Sequence, residues 1–434
     1  MNAVSSPPSP DLLERAADAC TTRWIVAQEG SRQSYAVPLA FHRLGKLHRF
    51  YADIWCRSGR SLLRRGPAGA RALAGRFKAE IPASKVVSFD TSAILAKTSQ
   101  HFRHGRQSPT ELGEAHCRFG RWFAQRVAKD FQKHDLDPAR DLFFGFDTNS
   151  LEVLEILKER GVFSVLDQVD AGLTHENIVL EESECWPGWQ KFPGRMPQSY
   201  WDRRSAEWAA ANLVLVNSNW SRDALVQQGV PAEKIIVVPL AIDLHPSELP
   251  PPVEPAGTLK VLWLGNVILS KGIQYLVRAA KLLEKQDIEF LLAGPLGIEE
   301  QVMRTFPSNI KILGRITRDH LSQIYRQAHV FVLPTISDGF AMTQLEAMAH
   351  ALPVVVTPNC GRVVTHGKDG LLVPARNSQA LADALAQLNA RRDLVREMSR
   401  NALKTILAYD LPSNARQICD DVAPHHARHL KTLR

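Results

Sequence analysis

The 434-residue chain lacks a hydrophobic run long enough to cross a membrane. Its longest apolar run, around residues 235–242, falls far short of the roughly 20 residues that a membrane-spanning helix needs. The beginning of the chain also lacks the pattern of a secretory leader, because residues 1–10 are rich in serine and proline and charged residues follow. We therefore expect a cytoplasmic protein that can lie on the inner face of the plasma membrane without crossing it.

Cysteine is scarce and scattered, since the chain has six and no two of them form a CxxC motif. In a chain of this length, that spacing argues against a disulfide framework and a zinc site, so we expect reduced thiols and no bound metal. A recognisable nucleic-acid-binding module is also missing, although the formal net charge is +8. We predict no nucleic-acid partner, and the surplus charge indicates a phosphorylated ligand or an anionic lipid surface.

The composition that remains is ordinary for a globular protein, with 45% hydrophobic and 23% charged residues. This is enough apolar material for two cores, and it excludes a disordered chain, a coiled coil and a collagen-like repeat. Short apolar runs alternate with segments of helical period, which predicts an α/β protein with parallel sheets. The predicted strands of the first half are 24–27, 142–144, 162–166, 213–216 and 235–238.

A helix is predicted at 149–160, where Ser150 can cap the start and Gly161 the end. Five prolines within residues 246–257 then exclude a helix or an interior strand, so we place a linker at 246–258. The alternation restarts after this linker. Predicted strands at 259–264, 288–293, 309–313, 330–333 and 353–357 alternate with helices, the first of them at 271–285.

The predicted architecture is two Rossmann-like, doubly wound α/β domains that face each other across a cleft. We assign residues 1–20 to a partly disordered tail, 21–245 to the first domain and 259–408 to the second. Residues 409–434 are expected to form a helix that packs back on the first domain.

The most specific motif is Ser337-Asp-Gly-Phe-Ala-Met-Thr-Gln-Leu-Glu-Ala-Met-Ala349, which runs from a predicted loop into a helix. Free N–H groups of residues 340–342 at the helix start favour an anionic ligand. Asp338 can accept hydrogen bonds from sugar hydroxyls and Glu346 from a ribose, because carboxylates make strong charge-assisted bonds. An isolated pair of this kind is more often a helix cap and a solvated acid, but the glycine and apolar context favours a binding site.

A second motif, Leu264-Gly-Asn-Val-Ile-Leu-Ser-Lys-Gly272, has the same setting: a strand ends at Gly265 and Lys271 opens a helix. A lysine opposes the dipole at a helix start, so a diphosphate bound between its ammonium group and the backbone amides explains it best. The alternative is a solvated surface lysine, which is the commoner case for one lysine alone.

Together these motifs resemble the family 4 retaining glycosyltransferases, which have the GT-B fold. The similarity is best over residues 259–374 and includes the segments 213–221, 234–243, 352–356 and 369–374. It implies that the second domain holds a nucleoside-diphosphate sugar as donor and co-substrate, and that transfer retains the anomeric configuration. It further implies that no cofactor or metal is obligatory, and that the first domain binds the acceptor.

The resemblance also implies that Lys271 holds the diphosphate, Asp338 the donor sugar and Glu346 the ribose. The family usually has an arginine where this chain has Asn266, and Arg315 is the candidate to replace it. The family's histidine after the strand at 162–166 is absent from its usual place. The groups left open as those that face the donor sugar are Asp167, Asp170 and His175.

Gly30 follows the first predicted strand, where it allows the backbone to approach the donor closely, although an ordinary strand-to-helix turn explains it equally well. The predicted catalytic residues are Asp338, Lys271, Asp170 and His175. The predicted donor-binding residues are Gly30, Gly265, Asn266, Lys271, Arg315, Asp338, Gly339, Phe340, Ala341, Met342, Thr343 and Glu346.

A basic stretch at 57–78 carries seven Lys or Arg residues and no acid, with leucines and a phenylalanine between them. This pattern fits an anionic membrane surface or a lipid-phosphate acceptor, and a solvated loop and helix fit it about as well. A second basic cluster, His101-Phe-Arg-His-Gly-Arg106, lies in the same domain, where acceptors bind in this fold.

The sequence thus predicts a glycosyltransferase that moves a sugar from a nucleoside-diphosphate sugar to a saccharide or lipid-linked acceptor. The expected setting is polysaccharide or cell-envelope glycan synthesis. The alternative is a non-catalytic relative that binds sugar nucleotides, which Asn266 and the missing histidine leave open.

Overall fold

Parallel strands form the framework of the structure, a computed structural model that describes residues 22–101, 108–191 and 193–433. The predicted tail at 1–20 and residues 102–106 of the second basic cluster lie outside the described residues. The strands are β1 (Arg23–Gln28), β2 (Leu47–Ala52), β3 (Val86–Ser88), β4 (Asp141–Phe146), β5 (Phe163–Gln168), β6 (Leu213–Val216), β7 (Ile235–Val237), β8 (Leu259–Leu264), β9 (Ile288–Ala293), β10 (Ile310–Gly314), β11 (Val330–Leu333), β12 (Val354–Val356) and β13 (Gly370–Leu372).

The first sheet has the order β3-β2-β1-β4-β5-β6-β7, and all its pairings are parallel. Every residue of β4 and β5 is buried, as expected when helices cover both faces of a parallel sheet. The helices up to residue 227 are Ala36–Arg43, Arg60–Arg64, Ala68–Ala74, Asp90–His101, Pro109–Phe131, Leu151–Glu159, Leu173–Cys185, Gln198–Ala210 and Asn219–Gln227.

The second sheet has the order β10-β9-β8-β11-β12-β13 and is also parallel throughout. Its strands β8 and β11 are central, and their buried side chains belong to one large hydrophobic core. The helices from residue 273 onward are Ile273–Leu282, Glu300–Met303, Arg318–Arg326, Met342–Ala349, Ser378–Ala390, Arg392–Ile406 and Leu411–Thr432. Two doubly wound parallel sheets confirm the predicted fold class.

The last helix, Leu411–Thr432, packs on the first sheet rather than on the second. Its buried residues Leu411, Ala415 and Ile418 belong to the same core as Trp24 and Phe41, whose rings stack 4.7 Å apart. The chain therefore crosses between the two sheets twice, once near residues 241–258 and once before this helix.

Three strands, β2, β3 and β13, were not predicted from the sequence. In β2 the polar pair His48 and Arg49 interrupts the apolar pattern, and both are partly buried beside neighbouring strands. The strands β3 and β13 have three residues each, which is too short to show a period. The equally short β7 and β12 were predicted because their valines and isoleucines belong to longer apolar runs.

The helix predicted at 149–160 spans Leu151–Glu159, and Ser150 occupies its N-cap position without capping it. The Ser150 hydroxyl donates to the Phe146 carbonyl oxygen at 2.8 Å instead. The buried carboxylate of Glu207 accepts hydrogen bonds from the N–H groups of Thr148, Ser150 and Leu151. A tertiary contact thus supplies the cap that the sequence analysis assigned to a local serine.

Within the described ranges, none of the helices combines the length and apolar character that crossing a membrane requires.

Candidate functional site

A cavity of about 410 Å³ opens at the carboxyl edge of the second sheet. It lies where the loops after β8, β9, β10 and β11 meet, which is where ligands bind in doubly wound sheets. Its lining residues are Leu264, Gly265, Asn266, Lys271, Gly294, Pro295, Arg315, Ile316, Leu321, Leu333, Asp338, Phe340, Ala341, Met342, Thr343 and Glu346.

Most of the predicted donor-binding residues come together around this cavity. The ones that line it are Gly265, Asn266, Lys271, Arg315, Asp338, Phe340, Ala341, Met342, Thr343 and Glu346. Gly30 and Gly339 do not line it. The Gly30 N–H donates to the Asp53 carboxylate at 3.0 Å, and Gly339 is packed against the first domain.

Lys271 ends a short 3-10 turn, Leu269–Lys271, and the helix begins two residues later at Ile273. The prediction that Lys271 opens the helix was therefore wrong by two residues. Gly272 separates the two elements with φ 74°, and a Cβ at 272 would lie 1.9 Å from the Pro334 carbonyl oxygen. Only glycine permits this close approach, which brings Lys271 to the loop that carries Asp338.

The ammonium group of Lys271 forms an ion pair with the carboxylate of Asp338. The two side chains are 22% and 16% exposed, so the pair is accessible from the cavity while most of its surface is covered. The sequence analysis gave these two residues separate ligands, a diphosphate and a sugar. In the structure they neutralise each other, and a diphosphate that binds Lys271 would compete with Asp338 for it.

The start of helix Met342–Ala349 faces the cavity, and its N-cap residue is Ala341. The Ala341 N–H donates to the Cys360 carbonyl oxygen at 2.9 Å, so the prediction of a free amide at this residue was wrong. The helix dipole still directs its positive end at the cavity.

Glu346 lines this cavity and also borders a second cavity of about 1010 Å³. The second cavity extends toward the crossing segment 241–251 and the turn Arg32–Tyr35 of the first domain. The hydroxyl of buried Tyr325 donates to Glu346 Oε2 at 2.8 Å. Glu346 is thus held on one side while it faces open space on the other.

The first domain contacts the cavity loop directly at Ser337 and Gly339. His175 Nδ1 lies 3.0 Å from Ser337 Oγ, and the indole N–H of Trp220 donates to the same oxygen at 3.3 Å. A Cβ on Gly339 would lie 1.8 Å from the carbonyl oxygen of Val169. These contacts close the cleft next to the Lys271–Asp338 pair.

The structure separates the three first-domain candidates. Asp170 forms an ion pair with Arg204 at 2.6 Å. The charge of Arg204 holds the pKa of Asp170 below its ordinary value, although burial acts in the opposite direction. Asp167 is fully buried behind it, and burial raises its pKa to about 7. His175 remains beside the cavity loop, and burial lowers the pKa of its imidazole despite the nearby carboxylates of Asp170 and Asp338.

Some residues at the site were missed by the sequence analysis. Gly294 and Pro295 directly follow β9, so the rule that was applied to β8 and β11 could have found them. Tyr325 and Ser337 had no comparable signal, because their roles depend on contacts with Glu346 and His175. Among the described residues, no three His, Cys, Asp or Glu side chains converge as metal ligands.

Comparison with known proteins agrees with this geometry. Residues 258–391, which contain the whole cavity lining, match the family model described as "Glycosyl transferases group 1". Sucrose-phosphate synthase of Zea mays is 26% identical over 369 residues, which cover 78% of this chain and 32% of that protein. D-inositol 3-phosphate glycosyltransferase of Pseudarthrobacter chlorophenolicus is 30% identical over 234 residues, which cover 49% of this chain and 54% of that protein. The chain thus spans about a third of the length of the plant relative and about half that of the bacterial one.

Two solved structures share the fold along almost the whole chain. Sucrose-phosphate synthase from Thermosynechococcus elongatus superposes with a TM-score of 0.59 at 17% identity, covering 95% of this chain and 100% of that one. HepE from Anabaena, solved in complex with UDP and glucose, gives a TM-score of 0.57 at 16% identity and covers 93% and 100%. Residues 258–391 thus match the group 1 glycosyltransferase family, and the two facing parallel sheets have the GT-B fold of these solved structures.

Proposed function

We propose that this chain transfers a sugar from a nucleoside-diphosphate sugar to a hydroxyl group of a saccharide or lipid-linked acceptor, with retention of anomeric configuration. One observation carries the proposal: Lys271, Asp338 and Glu346, which lie up to 75 positions apart in sequence, border the same cavity. The cavity lining offers both an ammonium group and a hydroxyl-accepting carboxylate, as a sugar nucleotide requires.

In this proposal Lys271 stabilises the diphosphate as it leaves the sugar. The diphosphate displaces the Asp338 carboxylate from the ammonium group, and Asp338 then accepts hydrogen bonds from the hydroxyls of the donor sugar. Arg315, which also lines the cavity, takes the place of the arginine that the family has where this chain has Asn266. The positive end of helix Met342–Ala349 adds to the stabilisation of the leaving group.

His175 is the first-domain group that we propose to face the donor sugar. Asp170 is neutralised by Arg204 and Asp167 is buried, so neither can reach a substrate without breaking the contacts around it. His175 has a lowered pKa because of its burial, so its imidazole is neutral near pH 7 and can exchange hydrogen bonds with sugar hydroxyls. An oxygen of the departing phosphate then takes the proton of the acceptor hydroxyl.

A membrane-bound acceptor fits the surface of the basic stretch. In the structure Arg76 pairs with Asp53, Lys78 pairs with Asp243, and Arg60 lies over the Phe77 ring. The remaining four arginines, Arg57, Arg64, Arg65 and Arg71, are exposed, and Leu62 in the same segment is 76% exposed. We propose that this basic surface binds anionic lipid headgroups next to a lipid-linked acceptor, in polysaccharide or cell-envelope glycan synthesis.

The test is a thermal-shift screen of UDP-, ADP- and GDP-sugars, followed by a transfer assay with the sugar that binds. A ligand that binds only the native state raises the melting temperature. The acceptor panel contains saccharides, polyprenyl-linked sugars and phosphorylated polyols, the last because the names of two relatives include a phosphorylated small molecule. Binding followed by transfer or slow donor hydrolysis supports the proposal. Binding without any turnover favours the non-catalytic alternative, and no binding of any donor refutes both.

A further inference from the structure

A tyrosine on helix Arg318–Arg326 holds the carboxylate of Glu346 through a hydrogen bond. Tyr325, whose side chain is fully buried, donates its hydroxyl to Glu346 Oε2 at 2.8 Å. Burial and the adjacent carboxylate both raise the pKa of Tyr325, so the hydroxyl stays protonated and remains a donor. One oxygen of Glu346 is therefore directed at Tyr325, which turns the other toward the cavity.

A second chain of contacts fixes the same region through His350. The rings of Tyr325 and His350 stack with centroids 4.6 Å apart and planes 15° apart. His350 Nδ1 lies 2.7 Å from the Glu346 carbonyl oxygen, which can only accept, so Nδ1 carries the proton. His350 Nε2 then accepts from the Ser322 hydroxyl at 3.1 Å, and Arg326 donates to the same hydroxyl oxygen at 2.7 Å.

These contacts hold both the main chain and the side chain of Glu346. The carboxylate borders two cavities and has free space on its open side, where an unsupported glutamate could adopt other rotamers. A carboxylate binds the two neighbouring hydroxyls of a ribose well only when its orientation is fixed before the ligand arrives.

We propose that Tyr325 is a positioning residue that sets the selectivity of the site for ribonucleotides over deoxyribonucleotides. It does so by orienting Glu346 toward the 2′- and 3′-hydroxyls of the nucleotide ribose. The inference rests on the proposed function, since it takes Glu346 as the ribose ligand. Tyr325 itself does not touch the nucleotide.

The experiment measures the Kd of uridine diphosphate and of its 2′-deoxy analogue by calorimetry. In Tyr325→Phe the ring stack with His350 is kept and only the hydroxyl is lost. Affinity for uridine diphosphate should fall about fivefold to tenfold, as for the loss of one ordinary intramolecular hydrogen bond. Affinity for the 2′-deoxy analogue should change by less than about twofold, so the ratio of the two Kd values shrinks.

Tyr51→Phe is the matched control, because Tyr51 is another buried tyrosine that donates to a carboxylate, that of Asp130, at 2.8 Å in the first domain. It should leave the ratio unchanged. In a Glu346→Ala background, Tyr325→Phe should have no further effect on the ratio.

The outcomes distinguish failure of the role proposed for Tyr325 from failure of the proposed function. If the wild type binds uridine diphosphate and prefers it to the deoxy analogue, but Tyr325→Phe keeps that preference in full, the positioning role is refuted while the proposed function stands. Equal losses for both nucleotides would mean a merely structural tyrosine and would also overturn the inference. If the wild type binds none of the three nucleotides uridine, adenosine and guanosine diphosphate, both the inference and the proposed function fail.

Discussion

The α-carbon of Gly339 in the second domain rests against the backbone carbonyl group of Val169 in the first. A Cβ at 339 would lie 1.8 Å from the Val169 oxygen and 3.0 Å from the Asp170 α-carbon. Real side chains do not tolerate such distances, and both neighbours are backbone atoms that cannot rotate away. The closed cleft therefore depends on the absence of a side chain at this position.

Gly339→Ala should force the two domains apart by about the length of one methyl group. We expect the transfer rate to fall on the order of a hundredfold, because a displacement of about 1 Å between reacting groups can cost that much. Steady-state kinetics give the rate, and small-angle X-ray scattering gives the change in radius of gyration. Gly69→Ala is the control, since no atom lies within 4 Å of a Cβ there. A Gly339→Ala protein with wild-type kinetics would show that this contact is dispensable.

Lys271→Ala and Glu346→Ala should each reduce transfer by on the order of tenfold to a thousandfold, as expected for the loss of one charge-stabilising contact. Lys271→Ala should act mainly on kcat, because the ammonium group meets the most charge as the diphosphate departs. Glu346→Ala should act mainly on KM, because ribose contacts are the same before and during transfer. Initial rates measured over a range of concentrations of one donor give kcat and KM separately and so distinguish these effects.

The control for the Lys271 variant is Lys281→Ala, which removes an exposed ammonium group of the same domain that pairs with Glu284. It should retain wild-type parameters. Unchanged donor affinity and rate in both the Lys271 and the Glu346 variants would rule out this cavity as the donor site.

Asp167 should make the stability of the protein depend on pH. Burial raises its pKa to about 7; Arg32 opposes this shift and Asp147 adds to it. The folded chain therefore keeps a proton that the unfolded chain has already released between about pH 4 and pH 7. The free energy of unfolding falls as the pH rises through this interval and levels off above it.

Asp167→Asn removes this dependence, so its free energy of unfolding should fall less than that of the wild type by about 1 kcal/mol or more between pH 4.5 and 7.5. Denaturant titrations at the two pH values measure the difference. The exposed Asp135→Asn serves as the control. Parallel pH profiles for the wild type and Asp167→Asn would contradict the assignment.

The basic surface should account for any binding to anionic membranes. Replacing Arg57, Arg64, Arg65 and Arg71 by serine should lower co-sedimentation with phosphatidylglycerol vesicles at least about tenfold, since each surface cation contributes on the order of 1 kcal/mol. Arg76 and Lys78 are left in place because they pair with buried or partly buried acids.

A variant that loses the same charge on the other domain shows whether vesicle binding depends on the basic surface or on net charge. The exposed residues Lys285, Lys368, Arg400 and Lys404 suit this purpose. If both quadruple variants sediment alike, the basic surface has no special role and net charge alone explains the binding.

The regular elements were largely predictable because their signals are local. Strands such as β8 and β9 appeared as short apolar runs between turn residues, and their predicted bounds match the observed ones. The polar interruption at His48 and Arg49 hid β2, since burial of polar side chains beside other strands leaves no trace in the pattern.

The motifs of the candidate site were also predictable, because the ends of parallel strands all point to one edge of a sheet. This rule alone predicts that Lys271 and Asp338 approach each other, although 67 positions separate them. It does not predict that the two side chains pair, nor that the helix after Lys271 begins at Ile273.

By itself, the sequence determined the two doubly wound sheets and the resemblance of residues 258–391 to the family, since apolar run length, helical period and glycine-bearing motifs are properties of neighbouring residues. The tertiary structure alone decided which of the three first-domain candidates contacts Ser337, why position 339 must be glycine, and which tyrosine donates a hydrogen bond to Glu346. Each of these depends on atoms from different elements meeting within 2 to 4 Å, where burial and electrostatic contacts change their chemistry. Contacts of that kind arise only when the two domains pack against each other and against their own helices.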